Sequence, residues 1–291
     1  MKLAIIDIGS NSIRLLLGEK NYGVWQNSRK ELWTTRLGDR HEDGSLREAS
    51  MSASFKAFAE INKKIQDFDT DKVLALATSA VREAPNGMDF LAEAKKYCNM
   101  ETRILTGEEE AEYGFKGATR DYIEDGLHYC IIDVGGGSTE LALGSKAGVY
   151  WSRSYKIGAV RLKEVSEEGP QRVWEETTNL WDPMPIAGPF GEFIGVGGTV
   201  TTLAAIFLGL EVYDEKKIQN VRLTREVIEG IIMNLRSMSF EERCTIPGLQ
   251  AGRADIIVAG AEIITSFMDM YEVPSILVSE MDAMEGIQSE F

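Results

Sequence analysis

Histidine is nearly missing from this chain: there are two, His41 and His128, in 291 residues. That excludes a histidine-rich metal cluster, so any metal bound here is a hard ion held by carboxylates, hydroxyls, phosphate and water. Cysteine is almost as scarce. Cys98, Cys130 and Cys244 are odd in number, far apart and in no metal-ligand spacing. Each reads as a buried structural thiol, which fits a reducing cytoplasm. Basic charge is in deficit, with 31 Lys and Arg against 46 Asp and Glu and a net charge of −15. This balance argues against general DNA or RNA binding and against docking on an anionic membrane, while leaving room for local basic pockets. Long apolar runs are missing too. None approaches the roughly 18 residues of a transmembrane helix, and Asp7, Asn11 and Arg14 interrupt the N-terminal hydrophobic stretch. The chain therefore reads as soluble and cytoplasmic, with no visible export signal. Apolar residues make up 44% and charged residues 26%, ordinary for a globular protein with a proper core. Its length suits two domains of about 100–200 residues each.

What the sequence does contain is an internal repeat. Asp7-Ile8-Gly9-Ser10-Asn11-Ser12-Ile13-Arg14-Leu15-Leu16-Leu17-Gly18 lies over Asp133-Val134-Gly135-Gly136-Gly137-Ser138-Thr139-Glu140-Leu141-Ala142-Leu143-Gly144 at a shift of 126 residues. Asp, the first Gly, Ser, two Leu and the last Gly match in register. Each copy is an apolar run, a Gly/Ser-rich turn and a second strand, which predicts a hairpin. Two hairpins one domain-length apart predict two domains of similar build, residues 1–125 and 126–291, with a terminal helix that can return to the first.

Between the copies, Met51, Phe55, Phe58, Ile61, Ile65 and Phe68 recur at helical spacing. A buried strand follows from Val73 to Thr78, then a helix through Phe90, Leu91, Ala94 and Tyr97, a short strand at Arg103–Leu105, and a helix opened by Thr106. After the second hairpin, Glu192–Val196 reads as a strand running into Gly197-Gly198-Thr199 and a helix. The last third is mostly helical, with starts after Thr224, at Ser239 and after Gly252, and a final strand at Ser275–Ser279. Strands alternating with helices give an α/β class.

Both Asp-x-Gly turns place a carboxylate at a strand end beside amides exposed by small residues. Such a turn can wrap phosphate oxygens while the aspartate holds a hydrated cation or orients water. For a lone copy, a tight hairpin is the simpler reading. A third glycine turn, Gly195-Val196-Gly197-Gly198-Thr199, ends a strand and opens a helix, where amides and the helix dipole attract anions. Three such turns suggest a phosphate cleft between domains. In Thr106-Gly107-Glu108-Glu109-Glu110-Ala111, Thr106 and Glu109 match a capping box. Glu110 shares a helix face with Gly114, Gly117 and Ala118, where another segment or a ligand can approach closely. It is the best candidate for a carboxylate aimed into the cleft, whereas Glu108 and Glu109 read as a solvated first turn. Arg82 lies where the Val73–Thr78 strand ends, a usual place for ligand contacts in α/β folds. Lys156, Arg161 and Arg253 are further cations that could neutralise phosphate or simply make surface ion pairs.

These motifs form a recognisable set. Asp7–Ser12, Ala77-Thr78-Ser79-Ala80-Val81-Arg82-Glu83-Ala84, Thr106–Ala111, Asp133–Glu140, Ile157-Gly158-Ala159-Val160-Arg161-Leu162, Gly195–Thr199 and Pro247-Gly248-Leu249-Gln250-Ala251-Gly252-Arg253-Ala254-Asp255 occur together. From Lys2 to about Ala261 the chain resembles the exopolyphosphatase and guanosine pentaphosphate phosphohydrolase family, in its short two-domain form. Singly, the glycine turns are shared with actin, sugar kinases and Hsp70-type ATPases; with the Thr-Gly-Glu-Glu-Glu-Ala segment they are specific. The resemblance implies two ribonuclease-H-like domains around an interdomain cleft. By position it makes Glu110 the catalytic base, Asp133 a metal or water ligand and Glu140 a second acid at the metal. Asp7, Ser10, Asn11, Gly135, Gly136, Gly137 and Ser138 line the phosphate path and Arg82 grips an adjacent phosphate, with Gly197, Gly198 and Thr199 as the third phosphate turn. One departure stands out. The family's Ser-Asp-x-Gly-Leu-Arg-Glu-Gly segment here reads Ser279-Glu280-Met281-Asp282-Ala283-Met284-Glu285-Gly286, without the arginine.

The expected activity is hydrolysis of a terminal phosphoanhydride, in inorganic polyphosphate or guanosine pentaphosphate, with Mg²⁺ or another divalent cation. Two rivals remain at this level: a small-molecule kinase of the same superfold, and a non-catalytic sensor of a phosphorylated alarmone or nucleotide. A homodimer is what the resemblance suggests.

Overall fold

A computed structural model of the chain describes residues 1–121, 123–166, 170–185 and 188–291. By packing, it divides into two compact units, Met1–Gly107 and Glu108–Phe291.

The first unit opens with β1 (Lys2–Ile8), β2 (Ser12–Asn21) and β3 (Val24–Thr34), then α1 (Glu48–Phe68), β4 (Lys72–Ala77), α2 (Ser79–Arg82), α3 (Gly87–Ala94) and β5 (Glu101–Ile104). Its sheet has the order β3-β2-β1-β4-β5, antiparallel through the first three strands and parallel through the last three. The three- and four-residue apolar spacing of α1 buries Ala57, Phe58, Ile61 and Ile65 against Ile6, Ile8, Leu15 and Leu17. Asp69 in the left-handed region, with φ 57°, stops that helix.

The second unit begins within α4 (Gly107–Ala118), followed by β6 (His128–Val134), β7 (Thr139–Ser145), β8 (Gly148–Tyr155), α5 (Ala159–Ser166) and α6 (Pro170–Thr178). Next come β9 (Phe190–Val196), α7 (Gly197–Leu208), α8 (Glu215–Ile218), β10 (Arg222–Thr224), α9 (Arg225–Arg236) and α10 (Phe240–Arg243). A 3₁₀ turn (Ala251–Arg253), α11 (Ile257–Met270), β11 (Ser275–Val278) and α12 (Ala283–Gln288) complete it. The expected caps hold: Thr224 caps α9, and Ser239 caps α10 through a reciprocal box with Glu242.

Its sheet runs β10-β11-β9-β6-β7-β8. Read from β8 inward, β8-β7-β6-β9-β11 repeats the order β3-β2-β1-β4-β5 with the same strand directions, and β10 is an added edge. Both units thus have the ribonuclease-H-like order. The repeat extends to atomic detail. Asp7 pairs with Arg14 across β1 and β2, and Asp133 pairs with Glu140 across β6 and β7. Gly9 N–H donates to Ser12 O at 3.1 Å, and Gly135 N–H to Ser138 O at 3.0 Å.

Side chains alternate across a strand, and β6 divides accordingly. Cys130, Ile132 and Val134 face a core containing α7 and α11, while Tyr129 and Ile131 face the other side. That other side is covered by α4 through Ala111, Phe115 and Ala118, together with Ala142, Ile194 and Val196. The compact division consequently falls at the first residue of α4, whereas the sequence reading draws the boundary at 126, in the turn before β6. Among the described residues, no helix is long and apolar enough to cross a membrane.

Candidate functional site

In the turn after β6 the carbonyls of Gly135, Gly136 and Ser138 accept protein hydrogen bonds, while the amides of Gly136, Gly137 and Ser138 are left over among the described residues. Gly135 O accepts from Ala159 N–H at 2.9 Å, and Gly136 O from Val160 N–H at 2.9 Å and Arg161 N–H at 3.4 Å. These bonds stitch the turn to the first turn of α5. Gly158 permits the approach, since a Cβ there would lie 2.5 Å from both C and O of Gly136. Thr139 Oγ1 ties the hairpin to Ile157 O at 2.7 Å. Among the described residues no protein acceptor meets the amides of Gly136, Gly137 or Ser138. Consecutive amides left this way form a concavity for an anion.

A second set of amides lies beside it. β9 runs parallel to β6, with Val196 opposite Asp133, and gives way directly to α7. No side chain caps α7, so its first amides lack partners within the helix. Gly197 opens that helix at φ +79°, and a Cβ on it would overlap Asp133 Oδ1 and lie 3.2 Å from Cγ. Glycine here is required twice, by the backbone and by the carboxylate. The Arg253 guanidinium occupies the space that a Cβ on Gly198 would need. Nearby, burial and the Glu280 carboxylate raise the Tyr213 hydroxyl, which donates to Glu280 Oε1 at 2.5 Å. Thr199 donates its hydroxyl to Val134 O at 2.8 Å, so its contribution to an anion site is through its amide.

Asp133 and Glu140 face each other across the β6–β7 ladder. By parity both lie on the side of the sheet covered by α4, the side of Ile131 and Ala142. Glu140 is buried and accepts from Ser154 Oγ at 2.8 Å. Like charges directly opposite each other destabilise a sheet, and a cation reverses that. Among the described residues no three His, Cys, Asp or Glu side chains converge as a metal cage. Two carboxylates suit Mg²⁺, which keeps waters and shares substrate phosphates rather than using an all-protein cage. On α4, Glu108 and Glu109 are exposed while Glu110 is half-buried, the distinction expected from their helical directions.

The first unit holds the other copy of the turn. Ser10 O accepts from Gly38 N–H at 2.7 Å, and Asn11 O accepts from Thr35 and Arg36 N–H at 3.1 and 3.0 Å. Ser10 and Asn11 are buried, and Asn11 Nδ2 is a buried donor with no hydrogen-bond partner. An orphaned donor of this kind is costly unless a ligand satisfies it. Asp7 differs from its counterpart: Arg14 Nε and Nη2 donate to its Oδ2 at 2.9 and 2.8 Å. Where the second hairpin sets acid against acid, the first sets acid against base. Arg82 ends α2, after β4, and its Nη1 donates to Leu105 O at 2.5 Å, just ahead of Thr106. Of the other cations, Arg161 lies in the first turn of α5 and Lys156 is exposed.

A sequence model described as the Ppx/GppA phosphatase family matches residues 19–290. The chain belongs to the Ppx/GppA phosphatase family. Exopolyphosphatase 2 of Mycobacterium tuberculosis is 28% identical over 310 residues, covering 98% of this chain and 97% of that protein. The bifunctional 3-dehydroquinate synthase/phosphatase of Fusobacterium nucleatum is 30% identical over 305 residues. The match spans 97% of this chain but 45% of that longer protein. Among solved structures, the Aquifex aeolicus Ppx/GppA family member superimposes with a TM-score of 0.79 at 29% identity, covering 100% of this chain and 97% of its own.

Against the Ppx/GppA pattern, the divergent segment at the C-terminus is a buried turn. Met284 N–H donates to Asp282 Oδ1 at 2.9 Å and Asp282 N–H to Glu285 Oε2 at 3.0 Å, a reciprocal cap on α12. Met284, in place of the arginine, is itself buried. Two features of this Ppx/GppA chain escape sequence reasoning. The Arg14–Asp7 pair was signalled only by Arg14 standing in register with Glu140. Arg253 carries no local mark that separates it from Lys156 or Arg161; only the fold brings it to Gly198.

Proposed function

We propose that this protein is a phosphoanhydride hydrolase that releases terminal phosphate from inorganic polyphosphate, guanosine pentaphosphate or both. The observation that carries this is the pair Asp133 and Glu140, set face to face beside the unsatisfied amides of Gly136, Gly137 and Ser138. Phosphoryl transfer asks the protein for positioning and charge neutralisation rather than covalent work. The amides of Gly136–Ser138 and of Gly197–Thr199 bind phosphoryl oxygens, and Arg253 adds a positive charge next to Gly198. Asp133 and Glu140 would hold a divalent cation, Mg²⁺ or another, whose chemistry there is neutralisation of developing charge on those oxygens. Glu110 accepts the proton of the attacking water. In the first unit, the amides of Ser10 and Asn11 and the Asn11 side chain form a second anion loop. Asp7 serves it by holding Arg14, and Arg82 contributes a guanidinium at the end of β4. A cytoplasmic setting, on the cysteine usage, and a homodimer, on the family resemblance, belong to the same proposal.

The test is phosphate release with Mg²⁺ from polyphosphates of several lengths and from guanosine pentaphosphate. Release with water as the only acceptor, lost on chelation of the cation, is the expected result. Release that requires a small-molecule acceptor would identify a kinase instead. Tight binding with no release from any of these compounds would identify a sensor.

A further inference from the structure

α4 carries Glu110 near its start and Gly117 seven residues later, two turns along the same face. A Cβ on Gly117 would overlap the carbonyl oxygen of Asp282 and lie 2.8 Å from its carbon. A Cβ on Gly286 would overlap the carbonyl oxygen of Tyr113 and lie 2.6 Å from its carbon. Tyr113 and Gly117 are one turn apart on α4, and Asp282 and Gly286 are one turn apart at the start of α12. The contact is therefore reciprocal: each helix sets a glycine against the carbonyl that the other presents one turn away. Backbones this close leave room for Cα–H···O contacts and none for side chains. The Tyr113 hydroxyl also donates to the Glu290 carboxylate, just beyond α12. Gly114, by contrast, has nothing within 4 Å of its Cβ position.

The adjoining face of α4 rests on the sheet through Ala111, Phe115 and Ala118. Phe115 fits over Gly144, where a Cβ would overlap the ring's Cζ and lie 2.8 Å from Cε1 and Cε2. Apolar packing of this kind fixes which face points down but resists sliding along the axis only weakly, because it is non-directional. The reciprocal glycine–carbonyl crossing fixes the slide. Its partner cannot yield, since the Asp282 turn is buried and capped by Glu285.

We propose that α12 braces α4 and so sets the axial position of Glu110, with Gly117, Gly286, Tyr113 and Glu290 as positioning residues. This rests on the reading of Glu110 as the base. The divergent segment, which lacks the family's arginine, acts through the α4 backbone and touches no substrate.

Four variants test it in the full chain, Gly286→Ala, Tyr113→Phe, Glu290→Ala and Glu290→Gln, with Gly114→Ala as a control on the same helix. Two readouts are taken: kcat and KM for phosphate release, and hydrogen exchange of the α4 amides from 111 to 113. A misplacement of the base should lower kcat by about ten- to a hundredfold. KM should stay within about twofold, because uniform binding is untouched. Gly286→Ala, Tyr113→Phe and Glu290→Ala should show this loss together with faster exchange in α4. Glu290→Gln keeps the acceptor and should match the wild type, as should Gly114→Ala. If Gly286→Ala does not fold, Tyr113→Phe and Glu290→Ala decide. Wild-type kcat in the folded variants would overturn the brace, and so would a raised KM at unchanged kcat. If the wild-type protein releases no phosphate, the hydrolase reading fails by itself, and unchanged α4 exchange in the variants would then overturn the brace separately.

Discussion

Helix α7 begins and ends with a glycine in the left-handed region, Gly197 at φ +79° and Gly209 at φ +61°. This allows backbone strain and site geometry to be separated within one element. A Cβ in that region costs about 1–2 kcal/mol, so Gly197→Ala and Gly209→Ala should each lower the urea midpoint by a comparable amount. Their surroundings differ. Nothing lies within 4 Å of a Cβ on Gly209, whereas one on Gly197 overlaps Asp133 Oδ1 and forces the carboxylate to turn. Gly209→Ala should therefore keep phosphate release within about twofold of wild type, while Gly197→Ala should lose roughly a hundredfold, the usual penalty for displacing a charged group by about 1 Å. The assay is urea unfolding followed by intrinsic fluorescence, paired with kcat at saturating substrate. Equal activity in the two variants at equal stability would refute the claim that the Asp133 carboxylate works from where it stands.

The two copies of the hairpin make a prediction of opposite sign. Arg14→Gln removes two charge-assisted bonds to the half-buried Asp7 and should cost about 1–3 kcal/mol. Glu140→Gln keeps an acceptor for Ser154 and relieves a like-charge pair, so in cation-free buffer it should gain about 0.2–1 kcal/mol; the same sign for both in urea unfolding would contradict the asymmetry. The thiols should divide two to one. Burial pushes the Cys98 thiol up to about 11 and Cys130 higher still, while Cys244 is half-buried. At pH 8 the native protein should then yield one reactive thiol to an aromatic disulfide reagent and three after denaturation; rapid native reaction of two or more would contradict it.

The repeat was legible because it is local: a strand, a glycine turn and a returning strand lie within a dozen residues, and their register follows from the spacing. The long helices were legible for the same reason, since α1 and α9 bury one periodic face. The third strand of each sheet was not. β3 and β8 are edge strands, and in β8 the alternation slips at Trp151–Ser152 and no position before Tyr155 is fully buried. The site was legible as motifs and illegible as relations. Glu110 could be picked from its neighbours by direction alone. That its helix covers the face bearing Asp133 and Glu140 depends on strand pairing far along the chain. The small-residue face of α4 offers room for a segment or a ligand; at Gly117 the structure fills that room with the chain's own α12. Only the fold could choose.

In the proposed hydrolysis Glu110 takes the proton of the attacking water, and Glu110→Gln is the decisive substitution. The variant is close to isosteric, so it should bind guanosine pentaphosphate or polyphosphate within about twofold of wild type while phosphate release falls by about two to four orders of magnitude. Hydrolysis near the wild-type rate, with binding intact, would contradict the account.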